Sequence, residues 1–200
     1  MTFIRLYLLP TFILITLSSC SHRAFTKGEY DDVSEARALD DKFNESDAAL
    51  LIEEMVGSMA NHPIFADAKV PPVVQVEDVR NKTSEHVDTK SITDSMRTAL
   101  IKTGRVRFAN KEDRDTFEGE ADRQQQSGRV RRDTQKKRDR QIGADYILTG
   151  DLISNVQQVG DRRLVFYRLN LNLTNIETGL IEWSDEKPIR KRFRKRSVGM

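Results

Sequence analysis

The one cysteine of this 200-residue chain stands at position 20, directly after Leu17, Ser18 and Ser19. Small residues immediately before a cysteine form a bacterial lipobox: the Cys20 sulfur takes a diacylglycerol, and a peptidase then cuts the chain just ahead of it. The run from Leu6 to Leu17 is apolar and follows Arg5, the order of a secretory leader. It is too short for a convincing membrane span. Residues 1–19 are therefore read as a leader that is removed, leaving acylated Cys20 as the first residue. An ordinary leader with a chance cysteine is the alternative, and it leaves the position of the only cysteine unexplained. Once Cys20 is acylated, no thiol remains for a disulfide or a metal.

Other chemistry was sought in the same way. His22, His62 and His86 are isolated, and none falls in a metal-ligand spacing. No nucleophile elbow, phosphate-binding loop or dinucleotide fingerprint appears. Among many carboxylates, Asp145 and Asp151 bracket the most strand-like segment and are the best candidates for acid–base work. A turn hydrogen bond and a strand-edge charge account for them more simply. Asn44, Asn81 and Asn172 head glycosylation-type triplets, for which loop, cap and strand roles suffice. No metal, cofactor or catalytic residue is expected.

Charge points toward binding instead. Lys and Arg number 33 against 31 Asp and Glu, a net +2. The balance hides segregation: residues 29–54 are acidic, while Arg129, Arg131, Arg132, Lys136, Lys137, Arg138 and Arg140 crowd one segment and residues 187–196 another. Such runs attract acidic protein faces or anionic lipid, the latter above all through the basic tail. Nucleic acid is disfavoured, because an exported lipoprotein rarely meets it and the runs offer only Phe193 for base stacking.

The elements follow from periodicity. Residues 21–45 are mostly polar and read as a flexible tether, reaching roughly 90 Å when pulled straight and nearer 30 Å when relaxed. Cap signals at Asn44 to Asp47 precede Ala48, Leu51, Ile52, Met55, Val56 and Met59, the rhythm of an amphipathic helix. Residues 73–79 suit a buried strand, and Arg80 to Thr83 a polar loop. Asp88 or Thr89 caps a second helix with Ile92, Met96, Ala99 and Leu100 on one face and Gly104 as its stop. A short strand over 105–109 then makes a right-handed crossover with parallel strands.

Residues 111–141 carry few apolar side chains, and a helix ending at Gly143 is expected to lead into a central strand over 144–153. Gly160-Asp161 signals a hairpin. Val165, Tyr167, Leu169, Leu171 and Leu173 then alternate with Arg168, Asn170, Asn172 and Thr174, so one face is buried and the other wet or thinly covered. After the Glu177–Gly179 turn, Ile181 and Trp183 are expected to close the core edge. The expected class is α/β: a mixed sheet of about four to five strands, a parallel crossover pair plus an antiparallel meander, with helices mainly on one face.

Four stretches, taken in order, resemble one family. They are residues 73–83, ending Arg80-Asn81-Lys82-Thr83; Met96 to Leu100 with Gly104; Ile142 to Leu148; and Glu177 to Ser184. Together they are similar to LpoB, a family of outer-membrane lipoproteins that activate a bifunctional class A penicillin-binding protein. The likeness runs from about Ala48 to Ile189. It implies a fold like the TolB amino-terminal domain, a monomer anchored in the outer membrane and facing the periplasm, and stimulation of peptidoglycan synthesis by docking rather than catalysis. Asn81 and Thr83 match the pattern after the first strand and are candidates for partner binding, as are the basic residues of 129–140. The tether is short and poor in proline where the resemblance implies a long proline-rich spacer. A second reading, from the Gly-Ala-Asp-Tyr start of the central strand, is an envelope assembly or secretion lipoprotein of the curli-secretion type. The expected organisation is a leader over 1–19, lipidated cysteine and tether over 20–45, one globular domain over 46–186, and a disordered basic tail over 187–200.

Overall fold

A computed structural model describes residues 40–137 and 140–195, which belong to one compact unit, Val33–Met200. The expected cap opens its first helix, α1 (Glu45–Asn61): Asn44 Oδ1 accepts from the Asp47 N–H at 3.0 Å, and Asp47 Oδ2 accepts from the Asn44 N–H at 3.0 Å. This reciprocal pair satisfies two donors that a helix start leaves free. Leu51, Met55 and Met59 form its buried stripe. A single turn, α2 (Pro63–Ala66), then sets Phe65 into the core.

Two short strands come next, β1 (Val73–Val76) and β2 (Arg80–Lys82), followed by α3 (Thr89–Lys102) and β3 (Arg107–Phe108). The expected single strand over 73–79 is thus divided, and the expected loop at Arg80 to Lys82 is itself a strand. The cause is Val79, which turns inward and gives its N–H to Thr93 Oγ1 at 3.2 Å rather than to a neighbouring strand. After α4 (Arg114–Gln126) no α-helix is described before Gly143; residues 129–137 are irregular, with one turn over 132–134. The remaining chain is three long strands, β4 (Tyr146–Val159), β5 (Arg162–Asn175) and β6 (Ile181–Arg194).

The six strands make one mixed sheet in the order β3-β1-β4-β5-β6, with β2 following β1 along the same edge of β4. Pairing of β1 with β3 is parallel, as the crossover rule requires, and β4-β5-β6 is an antiparallel meander. Gly160 takes a φ of 59° in the two-residue turn between β4 and β5, and Asp161 stays at negative φ, the pattern of a type II′ turn. On β5, Val165, Tyr167, Leu169, Leu171 and Leu173 are all buried, and α1 and α3 cover that side. Each such side chain contributes about 1.5–3 kcal/mol by leaving water.

Two boundaries move. The basic tail expected to be disordered from 187 continues as strand to Arg194, because Lys187, Ile189, Lys191 and Phe193 keep the inward alternation begun by Trp183. Ile181, expected to close the core, is 61% exposed; Trp183 alone fills that place. At the other end, ordered packing begins before Glu45, since Phe43 meets the Tyr167 ring edge-on at 5.2 Å. The free edge of β6 is blunted by Pro188 and by its charges.

Gly150 on β4 stands directly opposite the buried Leu171 of β5. A Cβ there would stand 2.4 Å from Leu171 Cδ2 and 2.7 Å from the Asn170 carbonyl oxygen, and a backbone atom cannot step aside. Gly150→Ala is expected to lower the unfolding free energy by about 1–3 kcal/mol. Urea denaturation checks this, and an unchanged midpoint would refute it.

Candidate docking face

Strand register fixes the side of the sheet that no core helix covers. Across it run the rows Thr149, Asn172, Ser184; Asp151, Asn170, Glu186; and Ile153, Arg168, Pro188. Arg80 extends the second row and Lys82 the third, because β2 pairs Arg80 with Asp151 and Lys82 with Ile153. Asp151 accepts from Arg80 Nε at 2.6 Å and from Lys82 Nζ at 3.0 Å. Partial burial pushes the Asp151 carboxyl up, but these two cations outweigh it and hold it below the usual carboxylate range. Asp151 is therefore an ionised strut and no proton donor.

Asp145, the other carboxylate considered for catalysis, accepts the Val73 N–H at 2.8 Å and ties β1 to the start of β4. Among the described residues the two carboxylates share no hydrogen-bond partner. Among the described residues, no group of three His, Cys, Asp or Glu is placed to hold a metal ion.

The middle of the face holds its unusual feature. Ser184 Oγ donates to Asn172 Oδ1 at 2.7 Å, and Arg168 Nη1 pairs with Glu186 at 3.2 Å. Arg168 Nε and Asn170 Oδ1, next to each other on β5, are shut off from water and bond to nothing among the described residues. Native structures rarely leave buried polar atoms unpaired, because each costs about 1–3 kcal/mol. At its start the face runs into an exposed apolar turn, with Ile176, Leu180 and Ile181 all more than half exposed.

Asn81 and Thr83 lie off these rows. Asn81 Oδ1 accepts the Thr83 N–H at 2.9 Å, Asn81 Nδ2 donates to the Glu85 carbonyl at 2.8 Å, and Thr83 Oγ1 accepts the Glu85 N–H at 3.1 Å. They shape the turn that presents Glu85. That carboxylate accepts the Tyr167 hydroxyl at 2.5 Å and the Phe43 N–H at 2.9 Å. Burial first, and then Glu85, raise the Tyr167 pKa well above the ordinary tyrosine value, so the hydroxyl stays a donor. Beside it, Lys191 Nζ donates to Asp47 Oδ2 at 2.9 Å and to the Lys42 carbonyl at 2.6 Å, with both charged side chains buried.

Arg129, Arg131, Arg132, Lys136, Lys137 and Arg140 are all exposed, and the segment folds back on α4 through Gln125 Nε2 to the Lys136 carbonyl at 2.7 Å. Arg131 pairs with Asp133 at 2.9 Å. No hydrogen bond or ion pair among the described residues joins this segment to Asn81 or Thr83. Cys20 and Arg138 lie outside the described residues. Arg168 and Asn170 were not singled out from sequence as binding residues, although the alternation of β5 had already put them on the uncovered side.

The model of the family described as peptidoglycan-synthase activator LpoB matches residues 47–189. Among curated proteins, no sequence matches. Solved structures similar to the chain include the LpoB carboxy-terminal domain from Escherichia coli, at 22% identity and a TM-score of 0.46, covering 72% of this chain and 98% of that one. The same domain from Salmonella enterica is 20% identical, also with a TM-score of 0.46, over 72% of this chain and 99% of that one. A lipoprotein of Neisseria meningitidis follows at 14% identity and a TM-score of 0.40, covering 64% and 88%.

Proposed function

Because this chain belongs to the LpoB family of peptidoglycan-synthase activators, we propose that it is an outer-membrane lipoprotein, anchored through acylated Cys20, that docks on a class A penicillin-binding protein. The docking surface is the middle of the uncovered sheet face, the rows that hold Asn170 and Arg168. The observation that carries this reading is the Arg168 Nε and Asn170 Oδ1 pair, removed from water and unbonded in the free domain. A partner that draws these two side chains outward and supplies an acceptor and a donor gains both bonds, and the free domain gives up no hydrogen bond of these two atoms to release them. Activation then needs only differential binding: docking stabilises the synthase conformation in which polymerisation and crosslinking run faster. The domain contributes no reacting group of its own.

The chain beginning at Ser21 keeps the whole core, since the buried hydrophobic residues run from Leu51 to Trp183. Added to the purified class A synthase of its own organism, it is expected to bind and to raise the rate of glycan polymerisation. Absence of both binding and stimulation would overturn the assignment.

A further inference from the structure

The hairpin end of the sheet differs from its middle. There Arg162 stands opposite Arg194, Leu164 opposite Arg192, and Phe166 opposite Arg190. Alternate residues share a face, so all four arginines lie on the uncovered side around half-buried Leu164 and Phe166. Val159, 77% exposed, adjoins Arg162 in the next strand. Arg194 pairs with Asp161 at 3.3 Å, whereas Arg162, Arg190 and Arg192 have no carboxylate partner among the described residues. Unpaired arginines with apolar side chains between them match the boundary of an anionic bilayer, where guanidinium groups meet phosphates and apolar groups leave water.

The course of the chain selects a membrane over an acidic protein. Asp40, Asp41 and Lys195 line one groove with Arg162 and Arg194, so the described chain begins and ends at this tip. Asp40 follows Cys20 by about twenty residues, a length over which a relaxed chain spans roughly 25 Å. We propose that this tip seats on anionic phospholipid headgroups of the membrane that carries the chain's own acyl anchor. It rests on the anchor at Cys20 assigned above, and on no property of the synthase.

The test uses the unacylated chain beginning at Ser21, sedimented with vesicles of phosphatidylcholine alone and of phosphatidylcholine mixed with phosphatidylglycerol. Binding is expected only to the anionic vesicles, and it should weaken as salt rises. R190Q/R192Q is expected to lower that affinity roughly thirtyfold, from the usual contribution of each arginine near an anionic surface. R131Q/R132Q removes the same charge from the exposed segment after α4 and is expected to bind as wild type does. Equal binding to both vesicles, no binding, or equal loss in both variants overturns the proposal. In detergent without bilayer, R190Q/R192Q should stimulate the synthase as wild type does; loss there would make these arginines a protein contact and would also overturn it. The vesicle arm contains no synthase and the detergent arm no bilayer, so failure of the membrane contact is distinguishable from failure of the docking function.

Discussion

Replacing Lys191 with alanine is expected to lower the unfolding free energy by about 3–5 kcal/mol, the loss typical of removing one partner from a buried ion pair. Both side chains of the Lys191–Asp47 pair are shut from solvent, and Asp47 also accepts the Asn44 N–H that closes the cap of α1. Without the ammonium group the Asp47 charge stays buried near the un-ionised Tyr167. The Lys42 carbonyl loses its donor as well. For a domain of this size the melting temperature should fall by roughly 10 °C. Added salt should change little, because a buried pair is poorly screened. Asp47→Asn combined with Lys191→Met, which removes both charges and keeps an acceptor at the cap, is expected to recover much of the loss. A fall below about 1 kcal/mol in Lys191→Ala, the range of an exposed pair, would show that the pair is not buried in solution.

The largest effect on function is expected at Arg168. Arg168→Ala should weaken synthase binding roughly thirtyfold or more, as central arginines of interfaces do, and stimulation should fall with it. Stability should hold or rise slightly, because the free domain loses an unbonded buried Nε and only a partly exposed pair with Glu186. A merely structural arginine would show the opposite pattern, lower stability with unchanged affinity. Equal dissociation constants for wild type and Arg168→Ala, measured by anisotropy with labelled synthase, would remove the docking face from the middle of the sheet.

Much of this architecture was legible because its signals are local. The cap at Asn44, the stripe of α1, the alternation along β5 and the Gly160-Asp161 turn each lie within a few neighbouring residues. What stayed hidden depends on distant partners. Arg80 to Lys82 are exposed and polar, and they form a strand only because Asp151 to Ile153 offers a ladder. The second half of β6 is dense in lysine and arginine and reads as a tail; Lys191 is an inward residue only because Asp47, 144 positions earlier, meets it.

The helix expected before Gly143 had the reverse problem. Its cations sit close together, and its few apolar residues find no core, since Ile142 is 66% exposed. The candidate docking face was half legible: alternation identified the uncovered side, while the unbonded atoms of Arg168 and Asn170 arise from three-dimensional crowding that no spacing reveals.

The length of the meander has a mechanical consequence. A disordered spacer resists stretching, because every ångström of extension removes conformations. Each strand of β4-β5-β6 has 14 residues and spans about 45 Å already extended, with no further entropy to lose. The chain reaches the sheet at its hairpin tip, and the Ile176–Ile181 turn lies at the opposite end. The meander of the folded domain is thus stiff along its length, from the tip where the described chain enters to the Ile176–Ile181 turn. With the proposed anchor at Cys20, reach that a long flexible spacer would supply at random is delivered in one direction, with the proposed docking rows held partway along it.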